Sequence, residues 1–580
     1  MSAKVDLVIR GGTIHDGAGG APYTADIAIA GDKIVEIGHV TARGTEEIDA
    51  TGKIVTPGFI DVHTHYDGQL IWATRMTPSS SHGVTTVVTG NCGVGFAPCR
   101  PEDRTKLIKL LEGVEDMPEV VLADGLTWDW ETFPEFVDAL KRRPHDIDFA
   151  VQLPHSALRM YVMGDRAVDR GVATDADLAE MRRLSGEAIA AGAFGVGTSR
   201  NIFHTTLDGV VIPTANTPEA EILAIAEGMR DAGGGVMQAI LNLEQSAPDL
   251  EMFHRVSHET DSPLSYTLVQ VGGENRETWR RLLEITEAAN QNGPRTTAQV
   301  FPRPVGVLLG LNASYHPFSA YPSYVKIADL PLAERVAEMR KPEVRAEILA
   351  DKPDERGMIF FAVARAFDKI YALGDPPNYE PDPSTSVAAI AKSKQGFTPE
   401  EIAYDMLLEN EGHALLLVTA ANYENQSLDD VLTMLRHPNA VAALGDGGAH
   451  YGMICDSTYT TFMLTHWARD RQGERLALPE VVRALTSRPA AMLGIHDRGM
   501  LAVGMKADLN VIDLERLSLH PPRIVNDLPS DGRRLMQDAS GYVATIVSGE
   551  VIMREGEPTG ALPGRMVERS AMSPMAIAAE

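Results

Sequence analysis

Cysteine is almost missing: Cys92, Cys99 and Cys455 are the only three in 580 residues. An odd, scattered trio builds no disulfide framework and suits a reducing compartment. Basic residues are outnumbered 52 to 80, for a formal net charge of −28. A field of that sign repels nucleic acid and anionic lipid, and no basic run offers a local exception, so neither is expected as a partner. No uncharged apolar stretch is long enough to cross a bilayer. The opening MSAKVDLVIRGG has no signal-peptide core, because Asp6 and Arg10 interrupt it, and the expected location is the cytoplasm. No Gly-x-Gly-x-x-Gly opens a helix after the first strand, which argues against a dinucleotide-binding sheet. No Gly-x-Ser-x-Gly elbow accompanies the serine runs GTS and SSS, which argues against a serine hydrolase.

What is present is ordinary: 44% hydrophobic and 23% charged residues exclude disorder and collagen-like architecture. The length calls for several domains or one large barrel with additions. Both ends carry short β-branched runs with Gly/Asp turns: VDLVIRGGTI, ADIAIAGDKIVEIG and GKIVTPG at the start, ADLNVIDLERL and GYVATIVSGEVIM near the end. They predict one small sheet domain built from both termini.

The middle has another rhythm. Thr174 and Asp177 form a capping box, Leu178, Met181, Leu184 and Ile189 recur at helical spacing, and Gly192 stops the helix before the strand FGVGTS. Thr217 is expected to cap a second helix, with Pro218 at its first position, leading through Gly233–Gly235 into VMQAI. TWRRLLEITEAANQNG leads into TTAQV, and a further unit runs from Ser427 and Asp430 to AVAALGD. Repeated helix, glycine and apolar strand predict α/β architecture with parallel strands, as a closed barrel or an open sheet. Between 301 and 426 the alternation breaks into amphipathic pieces, LAERVAEMRKPEVRAEIL and TPEEIAYDMLL, and the polar run GDPPNYEPDPSTS; this reads as a lid-like insertion. The end, from about Gly556, is Pro/Gly-rich and reads as an arm or a disordered tail.

Chemistry concentrates in GKIVTPGFIDVHTHYDGQ. The apolar run GFIDV ends in His63-Thr64-His65, and residues two apart on a strand share a face. Two converging neutral imidazoles suit a divalent metal, zinc above all.

Three segments in order, GKIVTPGFIDVHTH, GVTTVVTGNCGVGFAP and LTSRPAAMLGI…DRGMLAVGMKADLNVID, resemble the amidohydrolase superfamily and within it the N-acyl-D-amino-acid deacylase (D-aminoacylase) branch. The resemblance implies an α/β fold: a (β/α)8 barrel over 58–494 that includes the insertion 301–426, a small β-sandwich from 1–57 and 495–554, and an arm or tail at 555–580. Active sites of such barrels lie at the C-terminal strand ends, where His63 and His65 fall. It further implies that Cys92, in GNCG, is a metal ligand, and that Asp446, in ALGDGG, both binds metal and shuttles the proton. At other positions the chain departs from the family. Gln238 and Leu268 stand where metal-binding histidines are expected, and Gln270 stands where a lysine would hold the substrate carboxylate. His63, His65, Cys92 and Asp446 remain, enough for one metal with an open position. His155, Arg200, His204, Gln238 and His450 are the candidate substrate contacts.

These residues predict metal-assisted hydrolysis of an amide-type C–N bond in a small molecule, with Asp446 as the acid–base group. Loss of the carboxylate partner at Gln270 opens a second reading: a neutral amide, carbamate, lactone or ester. A decayed barrel kept as a binding module is the non-catalytic reading, fed by Gln238 and Leu268. The insertion and tail are additions of the kind that dock on neighbours, so the sequence is compatible with a homo-oligomer.

Overall fold

The computed structural model describes residues 5–291, 293–354 and 361–569. The two ends of the chain meet in one nine-stranded sheet. Val5–Ile14 pairs antiparallel with Tyr23–Ala30, and Ile54–Pro57 pairs antiparallel with Leu509–Ile512. Alternating Leu7, Ile9, Ile27, Ile29, Val511 and Ile546 supply its core, as the period-two pattern requires. Ile54–Pro57 bridges Val5–Ile14 to the C-terminal strands, so strands from both ends of the chain share one hydrogen-bonded sheet.

The middle holds two parallel sheets. Phe59–Asp61, Val84–Thr89 and Asp148–Val151 form the smaller. Leu153–Pro154, Gly195–Ser199, Val236–Ile240, Leu264–Leu268, Thr296–Val300 and Ala440–Ala442 form the larger, each parallel to its neighbour. Gln152 alone separates the sheets along the chain, and its N–H donates to the carbonyl of Thr89 at 2.9 Å. At the opposite edges the Asp446 N–H donates to the His63 carbonyl (3.1 Å) and the His65 N–H to that of Gly447 (2.8 Å). Nearly every strand residue is buried, which explains their continuous apolar runs.

Helices occupy the expected intervals. Asp175–Ala191 starts at the Thr174/Asp177 capping box and ends at Gly192, whose φ of 113° needs a glycine. Thr217 does not cap the next helix, Glu219–Asp231. Pro218 holds that position, and the Thr217 hydroxyl donates backwards to the Thr214 carbonyl at 3.2 Å. The last unit begins at Asp429–Arg436, with Ser427 Oγ accepting the Asp429 N–H at 3.3 Å.

The insertion has its own core, with Leu309, Phe318, Tyr404 and Val418 among its members. Leu308–Leu309, Leu416–Val418 and Ile370–Ala372 make a small antiparallel sheet inside it. LAERVAEMRKPEVRAEIL divides into Leu332–Met339 and Pro342–Ala350, since Pro342 can open a helix but not continue one. Residues 355–360 of this segment lie outside the described residues.

Beyond residue 555 the chain folds back as an arm. The Gly564 N–H donates to the His145 carbonyl, the Val567 N–H to that of Phe149, both at 2.8 Å, and Met566 and Val567 are buried. Residues 570–580 lie outside the described residues. No helix among the described residues is long and apolar enough to cross a membrane.

Candidate metal centre

The chain leaves the Phe59–Asp61 strand with alternate residues facing opposite ways. Thr64 turns aside, its N–H and hydroxyl both donating to the Val88 carbonyl (3.0 and 2.7 Å), while His63 and His65 point to one place with ring centroids 5.5 Å apart. Cys92 sits in the tight turn after Val84–Thr89, at φ 55°. Its Sγ lies 3.3 Å from His63 Nε2 and 3.7 Å from His65 Nε2. Asp446 Oδ1 lies 3.5 and 3.6 Å from the same two nitrogens. Donors sharing a tetrahedral zinc at ordinary bond lengths stand about 3.3–3.6 Å apart, and the His63, His65 and Cys92 ligand atoms, all within 4.8 Å of one another, suit such an ion, with Asp446 beside the two imidazoles.

The protonation states fit as well. His63 Nδ1 is 2.6 Å from Gln299 Oε1, whose amide nitrogen donates to Ser265 Oγ at 2.9 Å. The amide oxygen therefore faces the ring, Nδ1 carries the proton, and Nε2 offers its lone pair. Burial lowers the His63 imidazole to about 4, against the opposing pull of Asp446, and lowers His65 to about 3. Both rings are neutral near pH 7, as metal ligands must be. The Cys92 thiol is pushed well above its ordinary value by burial and then by the carboxylates of Glu115, Asp446 and Asp67. A thiolate there needs a cation. Metal binding at pH 7 is therefore expected to release a proton from Cys92, and Cys92→Ala should release about one proton fewer per ion. Calorimetric titration in buffers of different ionisation enthalpy measures this; equal proton release would refute the assignment of the sulfur.

The other anticipated contacts divide. His204, on the loop after Gly195–Ser199, lies within electrostatic reach of the centre: burial, then His450, His65 and His63, take it down to about 3. His450 follows Asp446 on the same loop. Burial lowers it to about 4, with Asp446 opposing and His65 adding, and its buried Nδ1 has no hydrogen-bond partner. His155, by contrast, has both nitrogens engaged in the core, by Thr198 Oγ1 at 2.8 Å and Glu221 Oε1 at 2.9 Å. No ring atom is left for a substrate. The Arg200 guanidinium is held by Asp249 (2.8 Å) and the Thr217 carbonyl (2.7 Å), which ties two loops together. Gln238 accepts the Cys92 N–H at 3.2 Å and so supports the cysteine turn from behind. Leu268 is wholly buried and offers no donor atom.

Three residues of the site lay outside the sequence-based set. Gln299 holds His63. Glu115 lies between His65 and His450. Asp61, whose Oδ1 accepts the His63 N–H at 3.1 Å, is raised to about 8 by burial, with Asp446 adding to the rise. Asp61 was within reach of the same period-two rule that pairs His63 with His65; Gln299 and Glu115 carry no local signal.

A parallel-strand scaffold with a His-x-His, a cysteine turn and an aspartate after its first, second and last strands defines a class. Residues 46–553 match the Amidohydrolase family (Amidohydro_3), and the chain belongs to it. It is 29% identical to a D-aminoacylase of Alcaligenes xylosoxydans xylosoxydans across 98% of this chain and 99% of that one. It is 27% identical to the N-acyl-D-aspartate deacylase of the same organism, over 97% and 95%. The fold is similar to the crystal structure of a D-aminoacylase, with a TM-score of 0.65 at 24% identity, covering 97% of this chain and 100% of that one.

Proposed function

We propose that this protein is a metal-dependent hydrolase of an amide-type C–N bond in a small molecule. The observation that carries the reading is the convergence of the His63, His65 and Cys92 ligand atoms, all within 4.8 Å of one another, with Asp446 Oδ1 beside the two imidazoles. The hydrogen bonds at both junctions of the two parallel sheets support closure into a (β/α)8 barrel over 58–494, with its site at the C-terminal strand ends. His63, His65 and Cys92 would hold one divalent cation, zinc by the chemistry of the donors, with Asp446 beside them. When bound, the cation supplies Lewis-acid polarisation of the scissile carbonyl and makes water beside it more acidic.

The remaining work falls to the chain. Asp446, with 23% of its side chain exposed, takes the proton of the attacking water and returns it to the leaving nitrogen. Gln299 fixes the His63 tautomer. Leu268 has no donor atom and the Gln238 amide oxygen is committed to Cys92, so neither serves a second cation. Three convergent ligand atoms with Asp446 beside them argue against the decayed-barrel reading. All three cysteines are free and buried, in keeping with a reducing, cytoplasmic setting. Amide hydrolysis that is lost on metal removal and regained with one equivalent per chain tests the assignment.

One observation favours a substrate without a free carboxylate. Gln270 donates to Asp430 Oδ2 at 2.6 Å and accepts the Glu424 N–H at 3.3 Å, so it is locked into the scaffold. Among the described residues, the ion pairs of Asp446 and Glu115 are with histidines only, not with lysine or arginine. An anionic substrate would meet these carboxyl groups with no lysine or arginine side chain paired to them. In a panel of N-acyl-D-amino acids and their uncharged primary amides, the amides are expected to have at least about tenfold higher kcat/KM, equivalent to about 1.4 kcal/mol. A preference for the free acids would overturn this reading.

A further inference from the structure

Glu115 is the last residue of the helix Arg104–Glu115 and is almost wholly buried. Its two carboxyl oxygens face two imidazoles from different parts of the chain: Oε1 lies 3.6 Å from His65 Nδ1, and Oε2 lies 3.4 Å from His450 Nε2. Oε1 has no hydrogen-bond partner. Stability does not account for such a group. A carboxyl at a helix C-terminus opposes the helix dipole, and burying one without strong donors is costly.

The backbone around it converges on the same loop. The Glu115 carbonyl accepts the His450 N–H at 2.5 Å, and Asp116 Oδ2 accepts the Gly452 N–H at 3.2 Å and the Ser314 hydroxyl of the insertion at 2.8 Å. His450 is held at φ 50° and Asp446, on the same loop, at φ 45°, a region that costs a non-glycine residue energy. One helix end thus fixes the loop that carries Asp446 and His450, and its side chain reaches across to His65.

We propose that Glu115 is a positioning residue that couples the metal-binding imidazole of His65 to His450 at the mouth of the site. The inference rests on the metal-centre reading above. With His65 Nε2 facing the other donors, its Nδ1 faces Glu115 Oε1 at 3.6 Å, longer than a hydrogen bond, so the carboxyl bears on the ring as its packed, polar neighbour. The other oxygen faces the His450 ring at 3.4 Å, so a change at the mouth is felt at the ligand.

Cobalt(II) binding to the full apo-protein tests this. Glu115→Gln should weaken cobalt affinity by about 10–100-fold and shift the visible spectrum, which reports ligand geometry, while the apo-protein melts no lower than the parent. Glu102→Gln, exposed at the start of the same region, should change neither. Parent-like affinity and spectrum in Glu115→Gln would overturn the positioning role and leave the metal centre standing; no cobalt binding by the parent would overturn both. Should Glu115→Gln fail to fold, His450→Gln probes the coupling from the other end. A shifted cobalt spectrum there, from a residue outside the ligand set, supports it, and an unchanged one refutes it.

Discussion

Replacing Asp446 by asparagine should lower kcat by about 10²–10⁴-fold, the range a positioned acid–base group contributes. Asparagine is the informative change because of the backbone. Asp446 sits at φ 45° with its N–H on the His63 carbonyl, and asparagine is the other side chain that tolerates this left-handed region. The loop, and with it His450, keeps its course. What disappears is an anionic oxygen 3.5 Å from His63 Nε2 that can accept a proton. His63, His65 and Cys92 remain as ligands, so the variant should still bind metal, with reduced affinity. Turnover measured at saturating metal then separates lost proton transfer from lost ion. A metal-saturated Asp446→Asn retaining more than about a tenth of parental kcat would remove Asp446 from the chemistry.

The parts of this site legible from sequence are those whose geometry is local. His63 and His65 are two residues apart just past the end of an apolar strand, and that spacing puts their rings on one side. Cys92 and Asp446 were reached through the resemblance, since nothing in GNCG or ALGDGG specifies that they meet. Glu115 was invisible for a physical reason: in LEGVEDMPE it looks like any solvated acid on an amphipathic helix. Its burial depends on a loop more than 330 positions downstream, joined by the His450–Glu115 backbone bond. Gln299 lies in the buried strand TTAQV, where a lone amide declares neither its partner nor its direction. His155 failed the opposite way. It follows a strand end, as a ligand would, but Glu221 and Arg159 share its pocket, with Arg159 Nε donating to the same Glu221 oxygen at 2.8 Å. A histidine serving a buried ion pair cannot be told from a ligand by position alone. The insertion was legible as a break in rhythm, whereas its sheet, built from strands of two or three residues, is too short to leave a periodic trace.

Stripping metal from the purified protein should abolish amide hydrolysis, and one equivalent of zinc per chain should restore it. The loss is expected to be complete within detection, because among the described residues the centre holds no alternative nucleophile poised for attack. Cys92 is the one candidate, and its thiol is pushed well above its ordinary value by burial and neighbouring carboxylates, which leaves it protonated and unreactive without a cation. The stoichiometry follows from the lining. The Val236–Ile240 and Leu264–Leu268 strands offer a second ion no free donor, since Leu268 has none and the Gln238 amide oxygen is committed to the Cys92 N–H at 3.2 Å. Metal content should therefore level off at one per chain, and activity should plateau at that ratio as zinc is added back. His63→Ala should fail to recover at any ratio. Because it also leaves buried Gln299 Oε1 unpaired, at a cost of about 1–3 kcal/mol, its fold must be checked by thermal melting in parallel. Full turnover by rigorously metal-free protein would end the metal-dependent reading, and a second bound equivalent would show that Gln238 and Leu268 do not close the neighbouring position.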